Sequence, residues 1–261
     1  MSDELQNASM RHTLLRRQSS LVKGIEALTV LLRAHRSLGI TQIASALGIS
    51  KSTAHDLLKV LCELDFVDQN TDTRRYAVSA AIFEFVHLIS TEYGLNLALK
   101  PILRARAAKL KATLVITALS GNKTYMLCAT GSGADTFRMG DNGPPYNSAC
   151  GKILVAQRPD SEWPAFAPQP NDKPYTSYSN LSPIQFLNEL AAARHNGYAV
   201  NVRQREADFC SIATPLNLGD KPWNRAIAIM LPYSEWVIRD RAELAAELNE
   251  LAKEISKALT R

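Results

Sequence analysis

Residues 41–61 constrain the fold of this chain more than any other segment. Apolar residues recur at helical spacing on both sides of Gly48, which permits a tight turn, and small Ala44 stands where two crossing helices would have to approach. Thr41 and Ser50 are each in position to cap the start of a helix. The pattern therefore predicts two short helices packed at a steep angle. The aliphatic face of the second helix comprises Ala54, Leu57, Leu58 and Leu61.

The flanking residues complete a small domain. Before the helix pair, Leu21, Ile25, Leu28 and Leu32 recur at 3.6-residue spacing, which predicts a helix from Ser19–Ser20 to about Arg33. After it, extended runs at 66–69 and 74–78 surround the polar turn 70–73 and predict a β-hairpin. Three helices and a hairpin make residues 19–78 a winged helix-turn-helix.

The polar flank of the second helix indicates binding to double-stranded DNA. Its first turn would enter the major groove, where hydroxyls and His55 can meet base edges, and the arginines at the end of the hairpin would hold the phosphate backbone. The alternative is an ordinary amphipathic helix pair with a solvated face. The candidate DNA-contacting residues are Thr41, Gln42, Ser50, Lys51, Ser52, Thr53, His55, Lys59, Arg74 and Arg75.

Net charge does not decide between these alternatives. The chain carries +5, but residues 1–95 hold equal numbers of basic and acidic side chains, so the excess lies entirely in residues 96–261. DNA binding must therefore depend on where the individual cations of the first domain lie. Residues 1–18 are polar with a basic cluster, which predicts a flexible basic arm that either stays free or touches DNA.

The segment 79–95 predicts a linker helix. Apolar residues lie on one side of residues 79–93, and Gly94 ends the pattern. This stripe is too apolar for an isolated linker, so we expect it to pack on another helix, either of the same chain or of a second subunit. A further helix is predicted from about Asn96 to Lys111.

Residues 96–261 predict a second domain of mixed composition. Helical patterns at 148–157, 182–195 and 242–259 alternate with apolar runs typical of strands, which indicates an α+β fold. The predicted strands are 113–119, 123–130, 198–202, 210–216 and 226–231.

Several function classes are disfavoured. No apolar stretch approaches the roughly 20 residues that cross a bilayer, and the polar, acidic start of the chain does not read as a signal peptide, so we expect no membrane partner and a cytoplasmic location. The four cysteines form no Cys-x-x-Cys pair, so we expect neither a metal site nor a cofactor. An enzyme built on Cys150 and His195 remains an alternative, but no hydrolase elbow, phosphate-binding loop or zinc-protease motif occurs, and we expect no catalysis.

The chain resembles the IclR-type regulators over nearly its whole length. The resemblance rests on the order and spacing of five short segments: residues 47–55, 75–76, 151–156, 197–200 and 212–215. It implies a winged helix-turn-helix, a linker helix used in dimerisation, and a GAF-like α/β effector domain with an antiparallel sheet. It also implies a homodimer or homotetramer on a palindromic operator. The chain departs from the family pattern at Asp56, where arginine is usual, and at Gln204 and Asp208, where glutamate and glycine are usual.

The resemblance further implies a binding site for a small effector, such as a carboxylic or aromatic acid. The loop 140–151 is expected to be mobile and to lead into a helix start, where backbone amides attract carboxylates. Arg138 and Arg203 are candidate carboxylate partners, and a solvated surface arginine is the alternative for either. The alternative is a constitutive DNA-binding protein whose C-terminal domain only oligomerises. The implied effector-binding residues are Tyr146 at the rim and Ala149, Cys150, Asn201, Phe209 and Ser211 in the wall.

Overall fold

The computed structural model describes residues 20–92, 99–216 and 225–259. The chain divides into two compact units, residues 1–91 and 92–261. The predicted arm 1–18 lies outside the described residues. Among the described residues, no helix combines the length and the apolar character needed to cross a membrane.

The first unit is the winged helix-turn-helix that the sequence predicts. A single antiparallel bridge between Leu38 and Tyr76 adds a third strand position to the hairpin. Ile43, Leu58 and Tyr76 are buried in one core with residues from every element of the unit up to the hairpin. The elements are α1 (Ser20–Ala34), α2 (Ile40–Leu47), α3 (Lys51–Glu63), β1 (Val67–Gln69) and β2 (Tyr76–Val78).

The helix caps agree with the sequence at α3 and differ at α2. Ser50 caps α3 by accepting a hydrogen bond from the Thr53 backbone N–H at 3.1 Å. The cap of α2 is Gly39 rather than Thr41, so that prediction is wrong. The reason is that Gln42 Oε1 accepts a hydrogen bond from the Gly39 N–H at 3.0 Å and closes the first turn one residue earlier.

The buried face of α1 also differs from the prediction. Ala27 and Leu31 face the core, whereas Leu21 and Ile25 are 72% and 59% exposed. These exposed side chains form an apolar groove together with residues of α3 that include Val60. Apolar residues cover more than one stripe of α1, so their periodicity predicts the helix but does not choose which stripe is buried.

The linker helix, α4 (Ile82–Glu92), begins three residues after the predicted start. The ring of Phe85 lies 4.8 Å from that of Phe66, so the helix packs on the end of the first domain. Phe83, Leu88 and Ile89 are each more than half exposed.

The second unit is a six-stranded antiparallel sheet with helices on both faces. The strand order is β5-β4-β3-β8-β7-β6, and every neighbouring pair is antiparallel. This confirms the predicted α/β domain with its antiparallel sheet. The strands are β3 (Thr113–Ser120), β4 (Lys123–Gly131), β5 (Asn142–Gly143), β6 (Ala199–Val202), β7 (Phe209–Leu216) and β8 (Arg225–Pro232). The helices are α5 (Leu99–Leu110), α6 (Ala149–Ala156), α7 (Pro183–Asn196), α8 (Tyr233–Trp236) and α9 (Arg241–Leu259).

The two faces of the sheet have different side chains. Along β8, Ile227 and Ile229 belong to the core shared with α5 and α9, while Ala226 and Ala228 belong to the core shared with α6 and α7. Successive residues of a strand point to opposite faces, so one strand supplies both cores. The alanine side leaves room for α6, whose residues are all buried, to lie close to the sheet.

Candidate nucleic-acid interface and ligand cavity

The start of α3 presents a cluster of hydroxyl groups. The Ser50 Oγ lies 2.8 Å from both the Ser52 Oγ and the Thr53 Oγ1. Lys51 and His55 next to them are exposed. Lys51 and His55, on the flank predicted to meet DNA, are therefore not covered by other residues of their own domain. The flank also combines cations with the positive end of a helix.

Two acidic residues lie beside this flank. Asp56 is 3.7 Å from the His55 Nδ1, and Glu63 is 3.9 Å from the Lys59 Nζ. All four side chains are more than half exposed, so these pairs contribute little and do not prevent contact with a phosphate.

Arg75 is engaged within the domain. Its Nη2 donates to the Ser37 carbonyl at 2.7 Å and to the Gln42 Oε1 at 3.2 Å, and its Nε donates to the Ser37 Oγ at 3.2 Å. These hydrogen bonds join the hairpin to the start of α2, and the phosphate contact of Arg75 stays a prediction. Arg74 is exposed, as that prediction requires.

A cavity lies on the alanine side of the sheet, between the start of α6, the strands and the loop 203–208. Its volume is about 580 Å³, which includes space open to solvent. The five residues expected in the wall all line it: Ala149, Cys150, Asn201, Phe209 and Ser211.

Tyr146 does not line this cavity, so its predicted place at the rim is wrong. Its side chain is buried, its ring meets that of Phe186 edge-on at 6.5 Å, and it borders a separate surface depression with Asp172. Burial and a hydrogen bond with Asp172 raise the pKa of the Tyr146 hydroxyl. The difference arises because Pro145–Asn147 forms a 3₁₀ turn that directs the tyrosine away from the cavity.

The predicted mobile loop is structured at both ends. Residues Asn142–Gly143 pair with β4, and the 3₁₀ turn leads directly into Ser148, which caps α6 by accepting from the Gly151 N–H at 3.0 Å. Backbone hydrogen bonding thus holds the segment that the glycine and proline content suggested was loose.

Asn147 is a cavity residue that the sequence did not identify. It is 2% exposed, and neither its Nδ2 nor its Oδ1 has a hydrogen-bond partner within the described chain. Its carbonyl accepts from the Asn201 Nδ2 at 2.6 Å, which holds the turn against β6. A buried amide without partners is unfavourable, so this side chain fits a site that a ligand completes.

Arg205 is the arginine that lines the cavity, rather than Arg138 or Arg203. Arg203 is held between the rings of Tyr178 and Tyr233, at 3.9 and 4.6 Å from their centroids. Within the described residues, the Arg205 guanidinium makes no hydrogen bond or ion pair, and its Nη1 lies close to Gly143. It is half-buried, and a free guanidinium in such a place suits a carboxylate.

Cys150 lacks the properties of a nucleophile. Burial raises the pKa of its thiol from 9.0 to about 11. Removal from water outweighs the hydrogen bond with Thr117 and the charge of Arg205, which both act to lower this pKa, so the thiol lacks the lowered pKa that the enzyme alternative requires. His195 lies in the last turn of α7, as expected.

Lys152 is a buried cation next to the cavity. Its Nζ lies 2.6 Å from the Glu189 Oε2, and it donates to the Gln204 Oε1 at 2.6 Å and to the Val200 carbonyl at 3.2 Å. Burial lowers the pKa of this ammonium, while Glu189 opposes that effect.

Known families match both domains. Residues 20–71 match the model of the IclR helix-turn-helix domain, and residues 89–257 match that of the bacterial transcriptional regulator IclR C-terminal domain. The glycerol operon regulatory protein of Streptomyces coelicolor is 28% identical over 92% of this chain and 96% of its own length. The transcriptional repressor IclR of Escherichia coli is 24% identical over 92% of this chain and 89% of its own. Both relatives are regulators of transcription.

Solved structures agree with the fold. A transcriptional regulator from a Rhodococcus species superposes with a TM-score of 0.74 at 20% identity, covering 92% of this chain and 98% of that one. An IclR homologue from Microbacterium hydrocarbonoxydans, complexed with 4-hydroxybenzoate, superposes with a TM-score of 0.73 at 18% identity over 93% of this chain and 99% of that one.

Proposed function

We propose that a small carboxylic acid with an apolar or aromatic body modulates the binding of this chain to an operator. The premise is that the chain belongs to the IclR family of DNA-binding transcription regulators, which have a C-terminal effector-binding domain. The observation that carries this proposal is the cavity in the second domain, which is lined by both the unpartnered amide of Asn147 and the unpaired guanidinium of Arg205. The alternative, a constitutive DNA-binding protein, does not explain why these two polar groups line a cavity without partners.

The chemistry of the cavity supports an acid of this kind. Arg205 can hold a carboxylate through two parallel hydrogen bonds, and the Asn147 amide can donate to a second oxygen. Phe137 and Phe209, whose rings meet edge-on at 6.3 Å, line the cavity together with two methionine side chains and provide an apolar surface for the remainder of the ligand. The 4-hydroxybenzoate in the complex of the Microbacterium homologue is a carboxylic acid with an aromatic body.

The DNA-contacting surface is proposed to be the exposed flank of α3. Lys51, Ser52, Thr53 and His55 would meet base edges and phosphates, and Arg74 would contact the backbone from the hairpin. A homodimer or homotetramer would place two such flanks on the half-sites of a palindromic operator. The exposed apolar stripe of α4 supports its use in dimerisation.

Single substitutions test the DNA-contacting surface. An operator is first selected from a pool of random duplexes, and its affinity is then measured over a range of salt concentrations. Lys51→Ala and Thr53→Ala should each weaken binding without unfolding the domain, and Lys51→Ala should lower the salt slope by about 1 if the lysine contacts a phosphate. Lys123→Ala, which replaces an exposed lysine at the start of β4 in the second domain, is the matched control. Unchanged affinity in both α3 variants would contradict the groove assignment.

Ligand titrations test the effector. Thermal shift with benzoate, 4-hydroxybenzoate and pyruvate should identify an acid that stabilises the protein. Arg205→Gln should abolish this shift, whereas Arg138→Gln, an exposed arginine outside the cavity, should not. The bound acid should then change operator affinity in a gel-shift assay. An acid that binds without changing operator affinity would favour the constitutive alternative, and binding unaffected by Arg205→Gln would refute the site.

A further inference from the structure

A buried lysine joins three segments around the cavity. The side chain of Lys152 is 2% exposed, and its ammonium group meets one acceptor from α7, one from β6 and one from the loop 203–208. The Val200 and Gln204 oxygens accept hydrogen bonds from the ammonium, and the Glu189 carboxylate pairs with its charge.

Gln204 belongs to the loop 203–208, which forms one wall of the cavity. The Gln204 N–H donates to the Asn201 Oδ1 at 3.1 Å, and its carbonyl accepts from the Ser179 Oγ at 2.8 Å. The next two residues, Arg205 and Glu206, line the cavity. The position of Arg205 therefore depends on how firmly Gln204 is held.

We propose that Lys152 is a positioning residue for the effector: its buried ammonium fixes Gln204 and thereby holds the loop 203–208 so that Arg205 faces the cavity. This inference rests on the proposed function and names the residue through which the anion-binding arginine is placed. Lys152 itself does not line the cavity.

If Lys152 only filled space, its polar contacts with Gln204 and Val200 would have no explanation. A methionine would fill nearly the same volume, but it would leave the Gln204 and Val200 oxygens buried without a donor. Glu189 Oε1 also accepts from the Asn180 Nδ2 at 3.2 Å, but Oε2, the oxygen that faces the lysine, is buried without a hydrogen bond. Lys152→Met should therefore loosen α7 near Glu189 as well as the loop, whereas Gln204→Met leaves the Lys152–Glu189 pair in place.

Hydrogen exchange on the full-length chain tests the local effect without any ligand. In Lys152→Met, amide exchange in the loop 203–208 should accelerate about 10-fold or more, the factor that corresponds to one lost hydrogen bond to a charged group. Exchange in β3 and β8 should remain unchanged. Lys100→Met, at an exposed site on α5, is the control. If Lys152→Met fails to fold, Gln204→Met removes the same bond and carries the measurement.

Ligand affinity separates positioning from general loss of structure. Titrations with 4-hydroxybenzoate and with its neutral amide, 4-hydroxybenzamide, should show a loss of about 10-fold for the acid only, as in Arg205→Gln. Equal losses for both probes, or unchanged exchange in the loop 203–208, would overturn the proposal. If the wild-type chain binds neither probe and no other acid, the proposed function fails, and the exchange measurement alone decides whether Lys152 holds the loop.

Discussion

Replacement of Gly151 by alanine should destabilise the second domain, although alanine is the better helix former. Gly151 lies in the first turn of α6, and a Cβ atom there would be 2.2 Å from the Pro145 carbonyl oxygen, 2.5 Å from its Cα and 2.7 Å from its carbonyl carbon. All three atoms belong to the backbone, so no side chain can rotate away. The 3₁₀ turn that carries Asn147 would have to move by roughly 1 Å to restore ordinary contact distances.

Two opposing effects determine how much Gly151→Ala changes the free energy of unfolding. Overpacking a close-packed interior costs about 1–3 kcal/mol, and three backbone contacts place this site at the upper end. Alanine in place of glycine returns about 1 kcal/mol of helix propensity. The net loss in the free energy of unfolding should therefore be about 2 kcal/mol. The displaced turn should also weaken binding of an acid, because Asn147 moves with it.

Urea unfolding followed by tryptophan fluorescence measures this loss. Trp163, Trp223 and Trp236 all lie within residues 92–261, so their signal reports on the second unit. The matched control is Gly24→Ala in α1, where a Cβ atom would meet nothing within 4 Å. That variant should leave the tryptophan transition unchanged and stabilise the first domain by up to about 1 kcal/mol. A Gly151→Ala protein as stable as the wild type, with its acid affinity intact, would refute the reasoning.

Three further outcomes are expected. The raised pKa of Cys150 means that between pH 9 and about pH 11 the folded chain keeps a proton that the unfolded chain loses. Stability should therefore fall as the pH rises through this window, by about 2 kcal/mol between pH 8 and pH 10.5 relative to Cys150→Ala, as measured by urea unfolding. Arg75→Lys should weaken operator binding in a gel shift although the charge is kept, because lysine cannot make the forked contacts with Ser37 and Gln42. Leu58→Ala should cost about 2–5 kcal/mol in a circular-dichroism melt, because Leu58 is 0% exposed in the core of the first domain.

The first domain was largely predictable because its determinants are local. The cap at Ser50 and the turn at Gly48, where φ is 62°, depend only on nearby residues. The errors came where distant residues compete. Arg75 donates to the Ser37 carbonyl, which lies 38 residues earlier in the chain. The stripe of α1 that is buried is determined by the side chains of α2 and α3 that pack against it.

The choice of the wrong cavity arginine has a similar cause. Alternation along a strand would place Arg203 and Arg205 on the same face. Arg203, however, has a φ of 60°, and its N–H bonds the Phe209 carbonyl at 3.1 Å, which closes a hairpin loop. Beyond that point the side-chain directions follow the loop, so Arg203 stacks between tyrosines and Arg205 faces the cavity.

The two domains place their binding groups differently. The DNA-facing flank is the exposed side of one continuous helix, whose other side, with Leu58, is buried in the core. The cavity anchors come from separate segments and are joined by long-range hydrogen bonds, such as that between Asn201 and the Asn147 carbonyl. Neither Asn147 nor Arg205 belongs to the hydrophobic cores on either face of the sheet. A change at either position can thus alter which ligand fits while leaving the fold intact, because the packing that stabilises the domain and the groups that would recognise the ligand are different sets of residues.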